Sequence, residues 1–75
     1  MNEAFKIWTV YDHPKDFPDY YIARLSLVRR GVIETTASIV MSTEIELVRD
    51  NMRDMHLTRL PRMEGDDPAI LETWV

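Results

Sequence analysis

Asp12 and His13 stand side by side within Tyr11-Asp12-His13-Pro14-Lys15-Asp16-Phe17-Pro18-Asp19-Tyr20-Tyr21. A carboxylate beside an imidazole is the raw material of general acid–base chemistry. Thr9, Ser26, Ser38 and Tyr21 carry hydroxyls that such an imidazole could activate if the fold brought them together. A chain with two histidines and thirteen acids contains neighbours of this kind by composition alone. Neither a Gly-x-Ser-x-Gly elbow nor a Ser-x-x-Lys accompanies them. A histidine ahead of proline in a loop more often bonds the loop backbone. His56 has the position of a favourable charge or cap at a helix C-terminus. No catalytic residue is assigned, and the enzyme question is answered towards no.

Metal and nucleotide chemistry fare no better. Asp12, His13, Asp16 and Asp19 offer oxygen and nitrogen ligands in one loop, and Glu64, Asp66 and Asp67 form a second acidic group. Neither has the register of an EF-hand or of His-Glu-x-x-His. Aspartates recur in turns for local hydrogen-bonding reasons, so no metal and no cofactor is expected. Two glycines, Gly31 and Gly65, cannot build a phosphate-cradling loop. Arg24, Arg29, Arg30, Arg59 and Arg62 would make a basic stripe if the second strand and the post-helix segment were neighbours. The acids around them make nucleic-acid binding the weakest of three readings.

The same Tyr11–Tyr21 segment reads better as a contact surface. It holds two of the four prolines and all three tyrosines. Pro14 and Pro18 fix φ and push His13 and Phe17 towards extended geometry, which stiffens the loop. Phe17, Tyr20 and Tyr21 would supply apolar area, and Asp12, His13 and Asp16 would set polarity. Those six are the candidate binding residues. Aromatic side chains dominate binding hot spots. Trp8 is expected in the core. Trp74 packs usefully only if the tail strand is docked, within the subunit or across a dimer.

Length and charge bound what must position this loop. Seventy-five residues make one domain, 1–75. A chain this short buries only about 60–65% of its unfolded surface. Without cysteine it has no disulfide or zinc–thiolate support, which favours self-association as a means of extending the core. The N-terminal residues do not read as a signal peptide, and no apolar run approaches the ~20 residues of a membrane span. A cytoplasmic location is expected. The formal net charge of −4 divides into −2 over residues 1–23, +2 over 24–62 and −4 over 63–75. The acidic tail reads as a solvated surface rather than a mimic of an acidic partner.

Phe5 to Tyr11 reads as a strand, with Phe5, Ile7 and Tyr11 on one face and Trp8 and Val10 on the other. Tyr20 to Arg29 is a second strand, with Tyr21, Ala23, Leu25 and Leu27 opposite Arg24 and Ser26. Arg30-Gly31 makes the turn into a third, Val32 to Met41, in which Ile33, Ala37, Ile39 and Met41 alternate with polar residues. Ser42 or Thr43 opens a helix through a capping box, Thr43 to Glu46. Its stripe is Ile45, Val48, Met52 and Met55, with Arg49 and Arg53 on a solvated flank and Leu47 off the stripe. Leu57 to Leu60 forms a short strand ended by Pro61, and Ala69 to Val75 a terminal one, alternatively part of an intermolecular sheet. The expected class is α+β, in the order β-β-β-α-(β)-β, with one amphipathic helix on a small antiparallel sheet.

Trp8-Thr9-Val10-Tyr11-Asp12-His13-Pro14, Asp16-Phe17-Pro18 and Tyr21-Ile22-Ala23-Arg24 resemble a group of short bacterial proteins, some phage-related, with no known activity. Leu57-Thr58-Arg59-Leu60-Pro61-Arg62 and Asp66-Asp67-Pro68-Ala69-Ile70-Leu71-Glu72-Thr73-Trp74 extend the resemblance over most of the chain. It implies a bacterial or phage-related origin and carries over no functional residue. The reading from residues is a non-catalytic interaction module, homodimeric and able to bind another protein. The alternative is a small-ligand or enzyme site around His13, completed across a homodimer.

Overall fold

A computed structural model describes residues 4–75. Five antiparallel strands and one helix follow each other as β1 (Phe5–Asp12), β2 (Tyr21–Arg29), β3 (Val32–Ser42), α1 (Ile45–Asp54), β4 (Arg59–Pro61) and β5 (Ile70–Trp74). The strands form one sheet in the order β3-β2-β1-β5-β4, so the terminal strand slots between β1 and β4 of the same subunit. This is the α+β architecture expected from the sequence, and the last strand takes the internal placement rather than the intermolecular alternative.

Side-chain alternation divides the sheet into two faces. Trp8, Val10, Ala23 and Trp74 lie on one face and meet Val48 and Met52 of α1 in the core, with Leu25, Val40 and Leu71 packed around them. Trp8 pairs across β1 with both Leu25 and Trp74, and Val10 pairs with both Ala23 and Glu72, so the register stacks the core in two rows. A register shift between Val10 and Tyr11 lets Leu71 join this face beside Glu72.

The turns follow their residues. Arg30 and Gly31 both take positive φ, 50° and 78°, in the two-residue hairpin between Arg29 and Val32. This backbone twist matches that of the flanking strands. The helix begins later than expected because β3 runs on through Ser42. Glu44 flanks the first turn without a side-chain cap, so the Thr43–Glu46 box does not form. Ser42 Oγ instead accepts the Glu44 N–H, and the Glu46 carboxylate bonds Arg49. The helix ends in a Schellman motif: the His56 N–H donates to the Arg53 carbonyl and the Leu57 N–H to that of Met52. His56 holds the left-handed position at φ 59°, where glycine is usual.

The largest departure concerns β3. Ile33, Ala37, Ile39 and Met41, the apolar set of the β3 alternation, are exposed. Val40 is the β3 residue that packs inward, opposite Ala23. A bulge between the Arg24 and Ser26 pairings inserts extra residues into β3, and Thr36 Oγ1 fills the gap by donating to the Leu25 carbonyl.

Candidate functional site

The loop joining β1 to β2 closes by two consecutive turns. The Phe17 N–H donates to the Pro14 carbonyl at 2.9 Å, and the Tyr20 N–H to that of Phe17 at 3.2 Å. Pro18 sits second in the latter turn, the position for which its fixed φ is preorganised. The His13 N–H reaches the Tyr20 carbonyl at 3.1 Å and seals the base of the loop. His13 itself has φ 48°, left-handed rather than extended. The steric preference for extended backbone ahead of Pro14 gives way here to closure of the loop.

Five of the six candidate residues fall into two groups on opposite sides of the sheet. Asp12, His13 and Tyr21 lie on the helix side. His13 Nδ1 and Asp12 Oδ1 are 2.5 Å apart, and the His13 and Tyr21 rings meet edge-on at 4.6 Å. Tyr21 is half-buried against the core and, with Thr43, Glu44, Ile45 and Glu46, lines a cleft of about 470 Å³. Asp16 and Phe17 fold onto the other side. There the Arg24 guanidinium bonds Asp16 and lies 5.8 Å from the Phe17 ring centroid and 5.9 Å from that of Tyr11. Tyr20 is exposed at the loop end. Two local clusters replace one contiguous loop surface.

Ile22, the β1–β2 register partner of Tyr11, is fully buried although its strand position points away from the helix. Beyond the loop this face is bare. Phe5, Val28 and Ile33 are cross-strand neighbours on β1, β2 and β3, and their row forms an apolar ridge. Phe5 is 57% exposed and Ile33 67%, and Ile39, Met41 and Leu60 are exposed on the same face. A second cleft, about 410 Å³, is lined by Leu60, Pro61, Met63, Asp66 and Thr73 at the β4 edge. An apolar area of this kind is the usual mark of a docking surface. Its signal is present in the β3 alternation, which groups Ile33, Ile39 and Met41 without saying which side of the sheet they take.

Glu72 is the other residue that sequence reasoning missed. It is 2% exposed on β5, facing the helix. Arg49 chelates it, with Nη2 at 2.7 Å from Oε1 and Nε at 3.1 and 3.2 Å from the two oxygens. The Trp74 indole N–H donates to the second oxygen at 2.6 Å. Arg49 also holds Glu46 at 2.9 Å. The hydrogen bond to Glu72, followed by that to Glu46, raises the Arg49 pKa above its ordinary value and keeps it charged. Glu46 is lowered, chiefly by its hydrogen bond from Arg49. Arg49 is therefore a half-buried tie between helix and sheet, not part of a solvated flank. Every buried side-chain nitrogen and oxygen among the described residues has a hydrogen-bond partner.

The basic stripe does not form. β2 and β4 are separated by β1 and β5, and Arg24 is engaged by Asp16 and Arg59 lies 3.8 Å from Glu72. No three histidine or carboxylate side chains among the described residues gather as a metal site. No helix among them is long and apolar enough to cross a membrane. Comparison with family models, curated proteins and solved structures returns no match.

Proposed function

We propose that the protein is a non-catalytic interaction module that binds other protein surface through the open face of its sheet. The loop carrying Asp16, Phe17 and Tyr20 forms the rim of that surface. One observation carries the reading: the helix covers one face, while the other presents the Phe5–Val28–Ile33 ridge to solvent. Burying a large aliphatic or aromatic side chain is worth about 1.5–3 kcal/mol, so such a ridge favours a covered state. The loop is already closed by its own turns and by the Arg24–Asp16 pair, so binding would spend little entropy in ordering it. Capture from a lysate of the source cells, with tagged wild type beside an Ile39→Lys variant, tests it. A stoichiometric partner held by wild type and lost by the variant supports the open face. Equal capture by both places the contact elsewhere and overturns it.

A second reading rests on the His13–Asp12 pair. The 2.5 Å contact orients the imidazole, as an acid–base group requires, beside the cleft lined by Tyr21. Thermal shift across metabolite and metal panels, with His13→Ala as control, separates it from the first. A shift that vanishes in the variant favours a ligand site, and the same silence in both removes it.

A further inference from the structure

Covering the open face requires an occupant of matching size, shape and charge. Its width is about 24 Å for five strands at ~4.8 Å each, and its length is about 26 Å for eight residues at ~3.3 Å each. Allowing for the short β4 and β5, that is on the order of 500 Å² before side-chain relief is added. A standard interface takes ~800 Å² per partner, so the face is of the right order for one.

The charge on this face is equally specific. Among the described residues, Arg24 is the one charged side chain whose strand position falls on it, and Asp16 neutralises that charge. Lys6, Asp12, Glu72 and Arg59 all belong to the opposite face. An acidic or basic partner finds nothing here to pair with. Two copies of a chain with net charge −4, in contrast, can approach through this face without opposing like charges at the contact. Relief points the same way. Beside the Phe5–Val28–Ile33 ridge runs the row Ile7–Ser26–Thr35, in which Ser26 and Thr35 are shorter than the Val28 and Ile33 next to them and leave a trough along β2 and β3. A ridge and a trough on one surface are what an isologous contact needs, because each copy supplies both.

We propose that the occupant is a second copy of this chain, docked face to face about a two-fold axis so that ridge meets trough. The two sheets then stack ~10 Å apart as a sandwich with both helices outside. This assignment rests on the reading of the open face as the contact surface.

Sedimentation equilibrium over a wide concentration range tests it, with far-UV circular dichroism as a check on folding. Wild type is expected to reach twice the chain mass of 8.9 kDa as concentration rises. Ile33→Lys and Phe5→Lys, each placing an ammonium on the ridge, should weaken self-association at least roughly tenfold, the equivalent of 1.4 kcal/mol. Leu47→Lys, on the outward face of α1, should leave it unchanged. If one ridge variant loses its folded spectrum the other carries the result, and Ile33→Thr gives a milder version of both. A wild type of single-chain mass at every concentration overturns the second copy while leaving the capture experiment to judge the interaction reading. A dimer that survives the ridge substitutions, or dissociates with Leu47→Lys, overturns the face-to-face geometry.

Discussion

The two faces of this sheet are built from similar side chains but held by different means. On the helix side, Val48 and Met52 close over Trp8, Val10 and Ala23, and the Arg49–Glu72–Trp74 network ties helix to strand. That network is directional: a bidentate guanidinium and an indole N–H fit one placement of α1 and penalise others. On the open side, one arginine gathers Asp16, Phe17 and Tyr11 at one end, and the remaining strand positions hold apolar or hydroxyl side chains with no charge among them. Hydrophobic area makes both faces prefer cover, whereas buried polar links specify which cover. A face with area and no links is free to accept another surface.

Breaking the helix-side network should have the largest effect. Glu72→Ala leaves the Arg49 guanidinium and the Trp74 N–H without their acceptor. Because Arg49 is partly solvated, a loss near the lower end of the range for broken buried pairs is expected, about 3 kcal/mol by chemical denaturation. A loss below about 1 kcal/mol would mean the network does not distinguish the faces. His56→Gly acts on the same side with the opposite sign. It removes the left-handed penalty at the end of α1, and a gain of about 0.5–1 kcal/mol should raise the melting temperature by several degrees. On the open face, Ile33→Thr should change the stability of the dilute single chain by no more than about 0.5 kcal/mol. A larger loss would show that the ridge already packs within the subunit.

The smallest effect sharpens the comparison through pH. Glu46 is depressed below its ordinary value of 4.5, first through its hydrogen bond from Arg49. Its contribution is therefore present above 4.5 and disappears as pH falls through the lower folded-state value. Glu46→Gln should flatten that acid limb of the stability curve slightly and leave neutral pH little changed. Arg49 is shifted upwards, so its contribution is fully present below its ordinary value and adds no slope on the acid side. An acid limb identical in wild type and Glu46→Gln would remove Glu46 from the helix-side linkage.

Most of the fold is legible in local pattern. The Trp8–Val10 face, the Arg30–Gly31 turn, the Val48–Met52 stripe and the exposed Leu47 all follow from alternation, turn chemistry or helical period. What failed was whatever depends on a distant partner. Alternation in β3 correctly grouped Ile33, Ile39 and Met41, but only the pairing of Val40 with Ala23 decides which side the helix takes. Nothing local tells Arg49 that Glu72, twenty-three residues on, will be beneath it. The site divides the same way. Sequence identified a closed, proline-bearing loop, but its residues straddle the sheet, because closing that loop turns Asp16 and Phe17 towards Arg24 while Tyr21 stays with the core.

Trp8 and Trp74 face each other as register partners on β1 and β5, both buried, while the three tyrosines cluster around the β1–β2 loop. The molecule therefore carries two optical reporters at separate places. Indole emission follows the seating of the final strand, and phenol absorbance follows the loop and its hairpin. Because the Trp74 N–H is bonded to a carboxylate, release of β5 should change emission wavelength as well as intensity. The order in which the two ends of this sheet come apart can thus be timed without attaching a label.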